Sequence, residues 1–241
     1  MNLDEVTVIV PTRNEAANIP AFLSSLPPGI SLIAVDSSDD ATPHLIEMNR
    51  PERTLVIRKH CNVTEARQAG AASAHTPLLL FTDADVMFRE DYFENLSSYR
   101  EYDALYGPKI SRDEFSAYYH RFSRWQRMLH ALGIPAASGS NLLIRREVLD
   151  AVGGFDLTLN CNEDSEIAWR IKRHGYRVGL AADLVVYARD HRRLYRGRMR
   201  KTAHSLTRCA LLYLNLMPAQ WRSRDWGYWS SKPEKTGQGG A

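Results

Sequence analysis

The first half of the chain alternates short apolar segments with segments of helical periodicity. Strands are predicted where β-branched and aliphatic residues run together, and helices where apolar residues recur every three or four positions. The predicted strands are Val6–Val10, Ser31–Val35, Thr54–Arg58 and Pro77–Thr82, and the predicted helices are Glu15–Leu26, Thr42–Asn49 and Val63–Ala74. Strands that alternate with helices form a parallel sheet with right-handed crossovers, so this pattern predicts an α/β fold.

The second half is less regular. Its predicted strands are Leu105–Ile110, Ser140–Arg145, Tyr176–Leu180 and Leu184–Tyr187, and its predicted helices are Glu114–Leu132, Glu163–His174 and about Arg192–Met217. A smaller region of mixed sheet is therefore expected beside the parallel one. The last residues, 223–241, are rich in Gly, Ser, Lys and Trp and are expected to form a flexible tail.

Composition is that of an ordinary globular domain, with 44% hydrophobic and 24% charged residues among 241. No apolar run approaches the ~20 residues of a transmembrane helix, and the N-terminus lacks the basic start of a signal peptide. The three cysteines lie far apart and form neither a disulfide framework nor a metal motif. A reducing cytoplasm is the expected location.

The positive charge is concentrated in one segment. Residues 189–208 hold eight Lys or Arg against the single acid Asp190, a charge of +7, so the rest of a chain of net charge +3 carries −4. Such a local cluster suits phosphates or an anionic membrane surface. Nucleic acid is not an expected partner, because the basic run has no interleaved aromatic residue beyond Tyr195 and no nucleic-acid motif is present.

Polar clusters follow three of the predicted strands. They are Pro11-Thr12-Arg13-Asn14-Glu15, Asp36-Ser37-Ser38-Asp39-Asp40 and Asp83-Ala84-Asp85. Ligands of open parallel sheets bind beyond the carboxyl ends of the strands, so the clusters predict a site at that edge. Asp83 and Asp85, at i and i+2 in an extended segment, would point the same way and repel unless a cation lies between them. Hard divalent cations prefer such oxygen ligands.

A further carboxylate lies at the start of the helix predicted at Glu163–His174. Asp164 shares a helical face with Ile167, Ala168 and Ile171, which places it on the inward side, whereas Glu163 is expected on the wet side. Burial of a carboxylate on the inward side costs free energy, so such a residue is expected to be hydrogen-bonded or to take part in the function. A helix N-terminus favours the ionised form, as a general base requires, although a plain capping role is the alternative.

Taken together, these residues resemble the family 2 glycosyltransferases, which have the GT-A fold. The matching segments run in order through residues 5–191 and include Pro11–Glu15, Asp36–Thr42, Ala66-Arg67 with Gly70-Ala71, Thr82–Asp85, Ser138–Asn141, Gly153–Asp156, and Glu163–Glu166 with Trp169-Arg170. The resemblance implies an enzyme that moves a sugar from a nucleoside diphosphate sugar to an acceptor hydroxyl or phosphate, with inversion. Residues 1–110 would form the nucleotide-binding half and 111–200 the acceptor-binding half, followed by an amphipathic helix at 201–222.

The resemblance also implies roles for individual residues. Nucleotide binding is expected at Pro11, Thr12, Asn14, Glu15, Asp36, Arg67 and Asp83, and acceptor or diphosphate binding at Gly139, Ser140, Asn141, Glu163, Arg193 and Arg196. Asp85 and His191 would ligate Mg²⁺ or Mn²⁺ at the diphosphate. Asp164 would be the base that deprotonates the acceptor. Charge that grows on the leaving diphosphate would be stabilised by the cation and by arginines.

Three other functions match parts of the pattern. The segment Leu78–Val86 also resembles the first motif of haloacid dehalogenase phosphatases, but three strands precede it here, whereas that motif usually opens the domain. A non-catalytic binding module would be favoured by loss of the acidic residues, and all are present. A nucleotidyltransferase of the same general fold needs a glycine-rich loop after the first strand, and Pro11–Glu15 contains no glycine.

The helix predicted at Glu114–Leu132 has an apolar stripe of Phe115, Tyr118, Phe122, Trp125, Leu129 and Leu132. Arg121, Arg124 and Arg127 cover its other sides. Core packing is the default interpretation of the stripe, and a helix on an anionic membrane surface is the alternative. The predicted C-terminal helix also combines basic and apolar residues: its first part is basic and its later part is rich in leucine. Peripheral contact with the inner face of a membrane, and a lipid-linked or cell-envelope acceptor, would follow from the second interpretation.

Overall fold

The computed structural model describes residues 2–113, 115–189, 191 and 198–224. In the first half, strands β1 (Val6–Thr12), β2 (Ser31–Asp36), β3 (Thr54–Arg58) and β4 (Leu78–Thr82) alternate with helices α1 (Ile19–Ser24), α2 (Thr42–Asn49) and α3 (Val63–Ser73). A short 3₁₀ helix, Leu3–Glu5, precedes β1. The predicted order of elements is confirmed throughout this half.

The second half contains shorter elements. They are β5 (Val86–Phe88), α4 (Tyr92–Asn95), the 3₁₀ helix Leu96–Tyr99, β6 (Ala104–Tyr106), β7 (Lys109–Ile110), α5 (Ser116–Ala131), β8 (Asn141–Arg145), α6 (Arg146–Ala151), α7 (Glu163–Arg173), β9 (Val178–Leu180), β10 (Val186–Ala188), α8 (Arg198–Tyr213) and α9 (Ala219–Arg222). The sequence pattern did not predict β5, α4 or α6, because segments of three to six residues are too short to show a period.

Seven strands form the main sheet, in the order β3-β2-β1-β4-β8-β6-β9. The four strands of the first half are parallel, β8 runs antiparallel to β4 and β6, and β9 is parallel to β6. A second sheet has the order β5-β10-β7 and mixes one antiparallel with one parallel pair. The expected mainly parallel sheet with a smaller mixed region is therefore confirmed.

The core lies on both faces of the main sheet. Along β1, Val8 and Val10 enter one cluster and Ile9 enters the other, as alternation of strand side chains requires. Helix α3 covers the second face so closely that a Cβ on Gly70 would lie 2.4 Å from Ile9 Cγ2. Burial on both faces explains why β4 reads as an uninterrupted apolar run.

Two predicted elements differ from the structure. The strand expected at Leu105–Ile110 is divided at Gly107-Pro108 into β6 and β7, which belong to different sheets. A Cβ on Gly107 would lie 2.1 Å from the Leu184 carbonyl oxygen, so only glycine allows this close crossing. The first helix begins at Ile19 and not at Glu15, because Asn14 has a left-handed backbone (φ 55°) and turns precede the helix.

The C-terminal helix α8 packs on α7. Tyr213 of α8 stacks on Trp169 of α7 with ring centroids 4.8 Å apart. Of the helices that the structure describes, none is both long and apolar enough to cross a bilayer. Arg193, Arg196 and nearly all of the predicted tail, residues 225–241, lie outside the described residues, and the division into two halves stays a prediction.

Candidate active site

The loops that follow β1 and β2 are bonded to each other at the carboxyl edge of the sheet. Thr12 and Asp36 are register partners on these parallel strands, and Thr12 Oγ1 donates to Asp36 Oδ1 at 2.6 Å. Asn14 Oδ1 accepts from the backbone N–H of Asp39 at 2.9 Å. Glu15 donates its N–H to Thr42 Oγ1 at 2.9 Å. The structure thus brings the predicted nucleotide-binding residues of both loops together.

A shallow groove opens beside these loops. Its lining consists of Pro11, Thr12, Arg13, Val35, Ser37, Cys61, Asn62, Val63 and Ala66. Pro11 and Thr12 were predicted here, whereas Ser37, Cys61 and Asn62 were not assigned a role. The polar residues after the third strand could have indicated that Cys61 and Asn62 line the groove, because that strand ends at the same edge of the sheet. Asp36 itself is 4% exposed, and its carboxylate accepts hydrogen bonds from within its own loop.

Arg67 is the centre of the second part of the site. Helix α3 places its guanidinium, which is 3% exposed, between two carboxylates from distant segments. Nη2 donates to Asp83 Oδ1 at 2.8 Å, and Nη1 pairs with Glu163 at the start of α7. The ends of β4 and α7 are therefore held together by one buried cation.

Gly139 and Ser140 join the same set of contacts. The N–H of Gly139 donates to Asp164 Oδ2 at 2.7 Å, and Ser140 Oγ donates to Asp83 Oδ2 at 2.5 Å. A Cβ on Gly139 would lie only 2.1–2.3 Å from the guanidinium atoms of Arg67. Consecutive residues thus contact Asp83 and Asp164, so the structure brings these two predicted residues to one site.

Glu163 is buried, which corrects the expectation of a wet position. Its side chain is 5% exposed and paired with Arg67, whereas Asp164 is only partly buried. Asn162 precedes the helix in a left-handed conformation (φ 63°), and the first turn is rotated toward Arg67. Loss of solvation raises the pKa of Glu163 to about 7; Arg67 opposes this rise, and the charges of Asp164 and Asp83 add to it.

The predicted acidic pair does not share one direction. Asp85 lies in a turn and not in an extended segment. Asp83 faces Arg67 and Ser140, whereas Asp85 Oδ1 lies 3.1 Å from the Nζ of Lys109. That ammonium is also 3.3 Å from Ser140 Oγ. Two close carboxylates require a nearby cation, and here the chain itself supplies one, the Lys109 ammonium. The sequence analysis had assigned Lys109 no role.

The donor set at Asp85 matches the chemistry of Mg²⁺ or Mn²⁺. Within the described residues, no three His, Cys, Asp or Glu side chains are grouped to hold a metal ion. A protein-only cage is not needed, because Mg²⁺ is usually held by one or two carboxylates together with substrate phosphates. The carboxylate of Asp85, with 19% of its side chain exposed, is suited to such a shared site.

His191 has other partners than the expected cation. It is 6% exposed, and its Nε2 lies 2.5 Å from Asp113 Oδ2, while Nδ1 lies 3.5 Å from the Tyr119 hydroxyl. The ring also packs on Phe115 with centroids 4.7 Å apart. Both ring nitrogens thus have side-chain partners at the start of α5, and the role of His191 as a metal ligand stays a prediction.

Asn141 supports the fold behind the site. It is 1% exposed, accepts from the Tyr92 hydroxyl at 2.7 Å and donates to the Leu184 carbonyl at 2.7 Å. Both ends of its amide are used in the core, and the expected contact with acceptor or diphosphate stays a prediction. Gly139 and Ser140, its predicted companions, do reach the site.

Comparison with known families places most of the chain in one group. Residues 7–153 match the family model described as glycosyl transferase family 2, and residues 110–221 match glycosyl transferase family 21. A pre-mycofactocin glycosyltransferase of Mycobacterium tuberculosis is 26% identical over 78% of this chain and 43% of its own length. The succinoglycan biosynthesis protein ExoA of Rhizobium meliloti is 26% identical over 78% of this chain and 66% of its own length. The chain thus spans less than half of the first relative.

Solved structures share the fold. A mannosyltransferase of Pyrobaculum calidifontis, in complex with GDP-Man and Mn²⁺, superposes with a TM-score of 0.72 at 23% identity over 90% of this chain and 67% of its own. TarS of S. aureus, residues 1–349 in complex with UDP-GlcNAc, gives 0.62 at 17% identity over 93% and 75%. The fold that the sequence resemblance implied is confirmed.

Proposed function

This chain belongs to glycosyl transferase family 2, and we propose that it transfers a sugar from a nucleoside diphosphate sugar to an acceptor hydroxyl or phosphate. The observation that carries the proposal is the set of contacts around Arg67, which joins Asp83, Glu163 and, through Gly139, Asp164 beside the groove. A site of opposed charges at the carboxyl edge of a parallel sheet is suited to a polar, phosphorylated ligand.

The donor nucleotide would lie at the loops after β1 and β2. The groove at Pro11 and Thr12 is flanked by hydroxyl, amide and carboxylate groups that can bind a base and a ribose. Asn14, Glu15 and Asp36 would shape this end, while Arg67 and Asp83 would face the ribose and phosphates. Two structures of the same fold hold GDP-Man and UDP-GlcNAc, which supports a donor of this class.

Transfer would take place in one in-line displacement with inversion. An acceptor oxygen forms the new bond to the anomeric carbon as the bond to the diphosphate oxygen breaks, and the acceptor proton passes to Asp164. The Asp164 carboxylate is oriented by the N–H groups of Gly139 and Ser165, each at 2.7 Å, and stays partly exposed. These hydrogen bonds orient the Asp164 carboxylate and leave it accessible to the acceptor, as general-base catalysis requires.

The diphosphate would be neutralised from two sides. Asp85 would hold Mg²⁺ or Mn²⁺, which when bound stabilises the negative charge of the leaving group. Lys109, whose ammonium is 3.1 Å from Asp85, is the nearest side-chain cation in the described contacts of that carboxylate. The structural neighbour with GDP-Man and Mn²⁺ supports a divalent ion of this kind. His191 as a second protein ligand of that ion stays a prediction.

The acceptor is proposed to be a lipid-linked or cell-envelope glycan. The chain's relatives include a succinoglycan biosynthesis protein, which supports polymer or glycan chemistry. A phosphatase finds no support, because the Asp83 carboxylate that would be its nucleophile is bonded on one oxygen to Arg67 and on the other to Ser140. A non-catalytic module of the same fold is the remaining alternative.

The proposal is tested by donor binding and donor turnover. The purified chain is heated with a panel of nucleoside diphosphates and nucleotide sugars, with Mn²⁺, with Mg²⁺ or with a chelator. A correct donor at a hundredfold excess over Kd should stabilise the fold by ~2.7 kcal/mol, which is a rise in Tm of roughly 5–10 °C for a chain of this size. Release of nucleoside diphosphate is then measured for the best donor.

Matched variants separate binding from chemistry. Asp164→Asn should bind donor normally and lose roughly a hundredfold or more of the transfer rate, the usual contribution of a general base. Asp85→Ala should lose the part of the stabilisation that depends on the divalent ion. Asp150→Asn, an exposed carboxylate on α6, is the control and should match the unaltered chain. If no nucleotide or nucleotide sugar stabilises the unaltered chain, the proposal fails.

A further inference from the structure

Helix α5 and Leu132, the residue that follows it, expose apolar side chains, and three of the exposed residues, Phe122, Trp125 and Leu132, belong to the stripe whose default interpretation was core packing. Phe122 is 36% exposed, Trp125 59%, Met128 46% and Leu132 69%. Phe115, just before the helix, is buried, as are Tyr119 and the polar Gln126 on another side of the helix. At 100° per residue the four exposed side chains fall within about 120° of the helix circumference. The helix therefore presents an apolar sector to solvent.

Basic side chains border this sector. Arg121, Arg124 and Arg127 are all exposed, and residues 116–132 contain three arginines and no acidic residue. By helical geometry Arg121 lies inside this sector, about 20° from Met128, whereas Arg124 and Arg127 lie about 40° and 100° beyond its Met128 edge. An apolar sector with an adjoining cationic sector is the arrangement of helices that lie in the plane of a bilayer interface.

A second group of exposed apolar residues lies at the end of α8. Leu214 is 68% exposed and Leu216 63%. The Tyr213 hydroxyl donates to the Pro135 carbonyl at 2.9 Å, three residues after Leu132. This bond ties the end of α8 to the loop that follows α5, so the two exposed apolar groups belong to one region of the surface.

We propose that the α5 surface, consisting of Phe122, Trp125, Met128, Leu132, Arg121, Arg124 and Arg127, docks on an anionic lipid bilayer. The aromatic and aliphatic side chains enter the interface, and the guanidinium groups contact anionic headgroups while their stems lie along the apolar boundary. A bilayer is favoured over a protein partner by charge complementarity, since the arginines lack acidic neighbours within the helix.

This surface is connected to the active site by a short segment. Gln126 of α5 donates to the Ala136 carbonyl at 2.8 Å, and the chain then reaches Gly139 and Ser140, which contact Arg67 and Asp83. A bilayer docked on α5 would thus be joined to the site through residues 136–140, an arrangement that suits a lipid-linked acceptor. This consequence rests on the proposed function, whereas the docking itself does not.

The docking is tested by flotation of the purified full chain with vesicles. Phosphatidylcholine vesicles with and without phosphatidylglycerol are compared at low and high salt, because the screening length falls from about 10 Å at 0.1 M to 3 Å at 1 M. We expect binding to the anionic vesicles alone, and its loss at high salt. Absence of binding to anionic vesicles at low salt would overturn the proposal.

Substitutions at exposed positions identify the residues that bind vesicles, and they leave the core unchanged. Each of Arg124→Gln and Arg127→Gln should weaken binding about fivefold, and Trp125→Ser should weaken it at least as much. Arg173→Gln and Met48→Ser, at exposed positions on α7 and α2, are the matched controls and should bind normally. If the Trp125 and arginine variants bound vesicles as tightly as these controls, the proposal would also be overturned.

Two further measurements distinguish lipid docking from self-association and from an effect on donor binding. Light scattering tests whether the α5 surface joins two copies of the chain; a dimer that Trp125→Ser converts to a monomer, without vesicle binding, would refute the lipid assignment. Donor stabilisation of the α5 variants in vesicle-free solution should equal that of the unaltered chain. Failure of docking and failure of the proposed transfer are therefore distinguishable.

Discussion

Substitution of Gly139 by alanine is the most direct test of how the charged centre is built. The added Cβ would lie 2.1 Å from Arg67 Nη1, whereas ordinary contacts begin at 3.4 Å. Either the guanidinium or the 139–140 backbone would have to move by 1.3 Å, the difference between these distances, to restore an ordinary contact. Arg67 has little freedom to move, since it is 3% exposed and bonded to carboxylates on two sides.

The expected effect follows from the ion pairs that this movement breaks. A shift of that size takes the 2.8 Å contact between Arg67 and Asp83 well past the range of a hydrogen bond. Leaving a buried carboxylate such as Glu163 without its cation costs about 3–5 kcal/mol, and a loss near the lower end lowers the Tm by roughly 6–12 °C. Donor binding should fall because Arg67 and Asp83 are the groups proposed to face the ribose and phosphates, and transfer should fall because Gly139 also donates to Asp164.

Thermal and chemical denaturation of Gly139→Ala measure this loss. Gly29→Ala is the matched control, because its Cβ would meet only Leu3 Cδ1, at 3.8 Å, far from the site. In an Arg67→Gln background the clash is relieved, so the two substitutions should be strongly non-additive. A Gly139→Ala chain that melts within a degree of Gly29→Ala would refute the placement of Arg67 against Gly139.

Three further predictions concern neighbouring groups. Glu163 has a pKa of about 7 in the folded chain against an ordinary 4.5, so its contribution to stability falls as pH rises from about 4.5 to 7. The free energy of unfolding of the unaltered chain, relative to Glu163→Gln, should decline across that window; a flat difference would contradict the assignment. Asn141→Ala leaves the Tyr92 hydroxyl and the Leu184 carbonyl unpaired in the core, and denaturant titration should show a loss of about 2–5 kcal/mol with no change specific to the donor. Lys109→Met removes the cation beside Asp85, so Mn²⁺ without donor should raise the Tm of this variant more than that of the unaltered chain; an equal rise would show that the ammonium does not compete for Asp85.

The charges of the site are arranged so that each carboxylate has a defined partner. Asp83 and Glu163 share Arg67, Asp85 faces Lys109, and Asp164 is bonded to backbone N–H groups. Asp164 is therefore the carboxylate among these that carries no side-chain cation in the described contacts. A base without a bound cation keeps its lone pairs available to an acceptor proton, which agrees with the role proposed for it.

The sequence by itself determined the first half of the fold. The limits of α2 and β3 agree with the predicted ones, and the capping box of Asn62 and Glu65 is present at the start of α3. These features are local: a cap joins residues three apart, and a strand buried on both faces is apolar throughout. The family resemblance, which rests on short motifs at strand ends, also named most residues that gather at the site.

Only the tertiary structure decided which partner each of these side chains has. Glu163 is buried because Arg67, 96 residues earlier, lies opposite it, and no periodicity within α7 contains that information. The same holds for Lys109 at Asp85, for His191 at Asp113 and for Asn141 between Tyr92 and Leu184. Helical and strand periods report which face of an element is apolar, whereas the free energy of a buried charge depends on the groups that the whole fold brings within a few ångströms of it.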